Sequence, residues 1–344
     1  MRPSTDQKIR ELGRGRADAE QYGVRQSAGL ISPTGWPGVL WVTGTILLVT
    51  MLAHIAALVI TGGPVSGPVS LRKPATFAET GWLTAWSVAL ILPTLRTRAW
   101  QRHVIGAAVL LFTVGETAIM GFQAWRGVPS HYNFSTPLDA ALMRGGAGGT
   151  AGIFVIGVIV LLIAALRSRD AAASTRLGVG AAIVVLLVGC VIGFVMISNN
   201  SGVYQGVVGT GFARQTAAYL GPDAATVGPQ YVLLRPATHG GDLVLPHIIG
   251  IHGLVLLAVP AVALARTAMP RTRQLAVIAL AVTSVVLAMM ILLTQALRQL
   301  PLDQLHLAAS ATLALCAIAL LGAYTAVAIA LKSARRARYV GPSP

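Results

Sequence analysis

The sequence predicts an all-α membrane protein of about eight transmembrane helices, arranged as two parallel four-helix repeats. Three observations predict it. Hydrophobic residues make up 55% of the chain and charged residues only 11%, against roughly 25% charged in a soluble domain. Apolar runs long enough to cross a bilayer recur along most of the chain. Two regions also match each other at one constant shift.

A helix needs about 20 mainly apolar residues to cross the hydrocarbon core, because it alone satisfies its backbone within one segment there. Eight segments meet this, near 38–62, 78–95, 104–124, 146–166, 178–198, 246–268, 274–297 and 304–331. The second is the least apolar. They form a membrane domain over residues 36–331, between a polar tail (1–35) and a basic tail (332–344). The polar start lacks the short basic region and apolar core of a cleavable signal peptide, so the first span is expected to stay as an anchor.

Alternating the loops puts nineteen of the 26 Lys and Arg residues on one side. Arg96, Arg98 and Arg102, then Arg167, Arg169 and Arg176, then Lys332, Arg335, Arg336 and Arg338 cluster beside span ends. By the positive-inside rule that side, with both termini, is cytoplasmic. Trp36, Trp82, Trp100 and Trp125 fall near the interfaces, where amphipathic rings settle. An excess of Arg over Lys, with abundant Ala, Gly and Val, points to a GC-rich bacterial genome and so to a bacterial plasma membrane. The net charge of +15 is spread between the spans rather than gathered into one patch, which excludes nucleic acid as a partner. The expected partners are the lipid bilayer and a small-molecule ligand. Cys190 and Cys316 lie inside apolar runs and read as small hydrophobes.

At a shift of 172 residues, Leu71, Pro74 and Gly81 fall on Leu243, Pro246 and Gly253, and Gln123, Ala124, Arg126 and Pro129 fall on Gln295, Ala296, Arg298 and Pro301. Parallel repeats over 36–166 and 178–331, separated by an outer loop at 199–245, would produce this. The interface of such repeats commonly holds a transporter's binding site.

Ionisable side chains inside spans are costly and face a bundle interior or a cavity, so each is a functional candidate. His54, Glu116 and His252 lie roughly 9 to 12 Å from the outer ends of their spans at 1.5 Å per residue. Nearer the outer surface come Lys73, Gln123, Arg126, His131, Asn133, Asp139, Asp242, His247 and His306. Glu116 and Gln123 are seven residues apart and share a helix face. The ligand-binding candidates are Glu116, Gln123, Arg126, His131, Asn133, Asp139 and Asp242. His54, His247, His252 and His306 are the candidate ligands for haem iron or copper, since imidazole serves both. His247 and His252 are five apart, about 140° around a regular helix, so they cannot chelate one metal together. Ser130 and Ser135 lack the flanking glycines of a nucleophile elbow, which removes acyl transfer. Gly145, Gly146, Gly148, Gly149 and Gly152 open the fourth span with small-residue spacing suited to close helix packing.

The stretch from Gln123 to Asp139, with its pattern Gln-Ala-x-Arg-Gly-x-x-Ser-His-x-Asn-x-x-Thr-Pro-x-Asp, resembles an uncharacterised family of bacterial multispan inner-membrane proteins. Lys73-Pro74-Ala75-Thr76-Phe77 and Gly241-Asp242-Leu243 with His247 and His252 carry the same resemblance through most of the membrane region. It implies a shared fold and a shared outer site, and no activity. The chain departs from the pattern at Asn200-Ser201-Gly202-Val203, where a His is expected, and at Val255, where a Gln is expected. The four-plus-four plan is similar to haem A synthase at fold level, without that family's paired histidine motifs.

Three functions remain open on the sequence. The first is a membrane protein with a polar, His-containing site in its outer half that binds a small ligand or cofactor. The second is a redox protein using haem, quinone or copper. The third is a proton-coupled transporter in which Glu116 titrates.

Overall fold

Each of the eight apolar segments holds helix in the computed structural model, which describes residues 34–65, 69–131, 133–199, 219–221 and 240–339. The tail up to residue 33, Tyr132, Asn200-Ser201-Gly202-Val203, most of the outer loop and residues 340–344 lie outside the described residues. The helices are α1 (Gly35–Thr61), α2 (Arg72–Ile91), α3 (Ala99–Trp125), α4 (Pro137–Arg167), α5 (Ala173–Asn199), α6 (Val244–Ile251), α7 (Leu254–Leu264), α8 (Arg271–Leu297) and α9 (Leu307–Tyr339). Six of them (α1, α3, α4, α5, α8 and α9) are long and apolar enough to cross a membrane, and α6 and α7, which meet at a bend of 49°, would make a seventh together. This is an all-helical architecture consistent with a multi-pass membrane protein. A two-residue antiparallel pairing of Tyr219–Leu220 with Gly241–Asp242 is the only strand structure among the described residues.

Four boundaries differ from the sequence expectation. α2 starts at Arg72 rather than 78 and ends at Ile91 in a 3₁₀ turn containing Pro93. Its early turns carry Arg72, Lys73 and Glu79, so composition hid a helix that packing between α1, α3 and α7 stabilises. α4 starts at Pro137 rather than 146, because the Thr136 hydroxyl caps it by accepting the Asp139 N–H (3.1 Å) and Pro137 occupies its first turn. The glycines expected to open this helix lie well inside it, in and beside a π-helical segment at Leu142–Gly148. The sixth span is broken at His252 rather than continuous: a Cβ at Gly253 would meet the Ala182 carbonyl at 2.7 Å, so that corner presses on α5. α9 runs on to Tyr339, so the tail expected from 332 begins as helix.

Neighbouring helices pack antiparallel through small residues. The Trp86 indole of α2 lies against Gly44 of α1, stacks on Trp41 at 4.4 Å and donates to the Trp41 carbonyl at 3.0 Å. α5 and α6 cross where Gly189 and Gly250 bring their backbones together, a Cβ on either being placed onto the other's Cα. Small residues at such crossings let helices gain close van der Waals contact where lipid supplies no hydrophobic drive. The core runs from Leu40 and Ile91 through Phe154 and Ile183 to Leu254 and Leu257. The outward faces of α1 and α9 expose Val59, Ile60, Leu315 and Leu321.

The shift of 172 residues carries detailed geometry. α2 and α6 start at Arg72 and Val244, each two residues after a buried side chain that accepts its first helical N–H: Ser70 Oγ from Arg72 at 3.2 Å, Asp242 Oδ1 from Val244 at 2.7 Å. α3 and α8 end in the same turn. The N–H groups of Arg126, Gly127 and Val128 donate to the carbonyls of Phe122, Ala124 and Gln123, and those of Arg298, Gln299 and Leu300 donate to Thr294, Ala296 and Gln295. This is the Schellman pattern, which places the residue after the cap in the left-handed region. α1 and α5 are 27 residues each. Gly81 of α2 rests on Leu47 of α1, and Gly253, its counterpart, rests on Val185 of α5.

Candidate functional site

The pattern Gln123 to Asp139 folds into a clamp between the end of α3 and the start of α4. Gln123 is fully buried and its Nε2 donates to Asp139 Oδ1 at 2.9 Å. Arg126 Nη1 donates to the same Asp139 oxygen at 2.9 Å and to Gln123 Oε1. The second Asp139 oxygen accepts from the Thr136 hydroxyl at 2.6 Å. Both oxygens of a buried carboxylate are thus satisfied by neighbours within 16 residues. Asn133, also buried, donates to the Pro129 carbonyl at 3.1 Å and accepts from the Ser135 N–H at 3.1 Å. Gln123, Arg126, Asn133 and Asp139 are brought together, and their polar groups are turned on one another.

Below this clamp lies a second group with a different character. Glu116 of α3 is buried and accepts one hydrogen bond, from the Thr150 hydroxyl of α4 at 2.9 Å. Lys73, in the first turn of α2, lies within electrostatic reach of both Glu116 and His131. Among the described residues neither Lys73 nor Glu116 forms an ion pair within 4 Å, the pairs there being Arg96–Asp170 and Arg126–Asp139. His131, from the loop between α3 and α4, packs its ring 5.5 Å from that of Phe77, and the Ser130 hydroxyl lies 3.4 Å from its Nδ1. Burial, and then the Lys73 charge, hold the His131 imidazole well below the ordinary histidine pKa of 6.5. Two oppositely charged side chains and an imidazole, carried by two helices and a loop, therefore converge without closing on each other.

Lys73 is an outer polar residue on the sequence but not a site candidate there, and Thr150 is missed. The signal for Thr150 was weak, because a hydroxyl facing a carboxylate 34 residues away has no local spacing to betray it.

The histidines are dispersed. His54 is committed at both nitrogens: Nδ1–H donates to the Thr50 carbonyl at 2.9 Å and Nε2 accepts from Trp125 Nε1 at 3.3 Å. It faces Gly121, five residues and about 7.5 Å along the helix from Glu116, so it does not share a layer with that carboxylate. His247 donates through Nδ1 to the Gly189 carbonyl at 2.9 Å and fixes the α5–α6 crossing. His252 donates to the Ile248 carbonyl at 3.0 Å and lines a small cleft with Thr80, Thr84 and Ser87 of α2. His306 is exposed, its Nδ1 accepting the Ala308 N–H at 3.3 Å at the start of α9. Asp242, buried, starts α6 as described. Among the described residues no three His, Cys, Asp or Glu side chains are grouped as a metal site would need.

Comparison with protein-family models, with curated proteins and with solved structures gives no match to this chain.

Proposed function

We propose that this chain is an eight-span bacterial plasma-membrane protein built from two parallel four-helix repeats, and that it binds a small polar ligand from the outer side at Lys73, Glu116, Thr150 and His131. The observation that carries the site is the separation of Lys73 from Glu116: the two charges are close enough to interact and too far apart to pair. Holding two such charges in a poorly polar environment is expensive unless something completes their hydrogen bonding. A molecule with an anionic group for Lys73 and a donor group for Glu116, such as a zwitterion, does so. The repeat reading is supported by the matched helix starts, the matched terminal turns and the Gly81–Leu47 and Gly253–Val185 contacts. In it α2, the equivalent of α6 with α7, is the eighth span. The orientation rests on the basic residues at one end of the bundle, by the positive-inside rule.

The test is a thermal-unfolding screen of the full-length protein in detergent against free amino acids, betaines and simple carboxylates. A compound of the zwitterionic class should raise the unfolding temperature of the wild type and leave Lys73→Met and Glu116→Gln unmoved. A shift that survives both substitutions places the ligand elsewhere.

A second reading, proton-coupled transport, draws on the same buried carboxylate, because Glu116 opposite Lys73 can trade a proton for the ion pair. Proteoliposomes with an internal pH dye distinguish it: Glu116→Gln should abolish proton uptake there. The redox reading fits the residues least. Haem or copper held by His54, His247, His252 or His306 would need His54 to break both of its hydrogen bonds, and the other three are not grouped with it among the described residues.

A further inference from the structure

The end of the bundle that carries the basic residues holds a cavity of about 550 Å³ between the first turn of α1, the last turn of α2 and the start of α3. One wall is apolar, formed by Trp36, Pro37, Val39 and Leu92, and the mouth carries Arg102 and His103 on consecutive positions of α3. Trp36 is fixed in this wall: its indole covers Gly106, where a Cβ would strike the ring, and it meets the His103 ring edge to face at 6.0 Å. Arg102 uses Nη1 on the Thr97 carbonyl at 3.2 Å and has no carboxylate partner among the described residues, whereas nearby Arg96 is paired with Asp170. His103 uses Nδ1 on the Ala99 carbonyl at 2.8 Å, which leaves Nε2 for another group. Arg102 and His103 are both exposed.

An apolar wall topped by an unpaired guanidinium and an imidazole, at the boundary between bilayer and water, has the polarity profile of an anionic phospholipid turned inside out. Basic pockets between spans on the cytoplasmic side bind such head groups. We infer that this cavity binds one anionic phospholipid, with its phosphate on Arg102 and His103 and its glycerol and upper acyl carbons against Trp36, Pro37, Val39 and Leu92. A free phosphate would use the mouth and leave the wall bare. The site rests on the membrane reading of the chain and is independent of the ligand site at Lys73 and Glu116.

Native mass spectrometry of the full-length protein from detergent, titrated with phosphatidylglycerol or phosphatidylcholine, tests the assignment. One phosphatidylglycerol per chain should survive activation that strips phosphatidylcholine. Arg102→Ala combined with His103→Ala should weaken that binding roughly tenfold, in line with about 1 kcal/mol for each cationic side chain near an anionic head group. Arg102→Lys should retain most of it, and Arg273→Ala, at the same end on α8, should change nothing. Equal retention by the double variant, or equal retention of the two lipids, would mean annular lipid only and overturn the proposal. Full displacement of phosphatidylglycerol by inorganic phosphate would leave an anion site without the acyl wall, and would overturn it too.

Discussion

Gly127 and Gln299 occupy the same left-handed turn at the ends of α3 and α8, at φ of 68° and 60°, and Gln299 is the only residue other than glycine with positive φ among the described residues. The turn is needed in both places because it lets the backbone N–H groups reach back to Gln123 and Ala124 in one case and to Gln295 and Ala296 in the other. A side chain in that conformation costs roughly 1 kcal/mol that glycine does not incur.

Gln299→Gly should therefore stabilise the protein by about 0.5 kcal/mol, the relief of strain being partly offset by glycine's greater backbone entropy when unfolded. Gly127→Ala should destabilise it by about 1 kcal/mol for the converse reason. Thermal unfolding followed by circular dichroism in detergent reads both. Shifts of the same sign would show that conformation is not what distinguishes the two turns.

Arg126→Ala removes the one cation that faces the buried Asp139 carboxylate. Breaking a buried pair this way costs roughly 3–5 kcal/mol when both partners are dry. The Arg126 side chain is 32% exposed, so a loss nearer 2 kcal/mol is expected after solvent screening. Asp139→Asn with Arg126→Ala should recover part of it, because no buried charge is then left alone. A double-mutant cycle in denaturant measures the coupling, and additive losses would contradict a shared network.

His131 makes stability depend on pH with a definite sign. Its folded pKa lies well below the unfolded value near 6.5, so in the window between the two the unfolded chain binds the proton and the folded one does not. Stability from this group is full above about pH 6.5 and declines as pH falls toward the folded value. His131→Gln should flatten that slope between about pH 6.5 and 5. An unchanged acid slope in the variant would place the titrating group elsewhere.

Much of the helix inventory is legible in the sequence because each apolar run of about 20 residues has one low-energy solution in a bilayer. The start of α4 was legible as well. Thr136-Pro137-Leu138-Asp139 is a helix-entry signal in its own right, though the glycines that follow drew attention away from it. The start of α2 was not, since Arg72, Lys73 and Glu79 are tolerated there only because neighbouring helices surround them. In the candidate site, the sequence brought out Glu116, Gln123, Arg126 and Asp139 as polar residues of the outer half. It gave no means of separating a self-satisfied clamp from an unclosed cluster, because both are written in the same residue types.

The sequence by itself determined that the chain is apolar and helical, how many helices it makes and at which end of them the cations gather, since these follow from one-dimensional properties: run length, composition and the spacing of Arg and Lys. Only the tertiary structure decided which polar groups are spent on each other. Gln123 and Asp139 meet across 16 residues and Glu116 and Thr150 across 34, while Lys73 stops short of Glu116. Those distances are set by the way α2, α3 and α4 pack, and no local pattern encodes them.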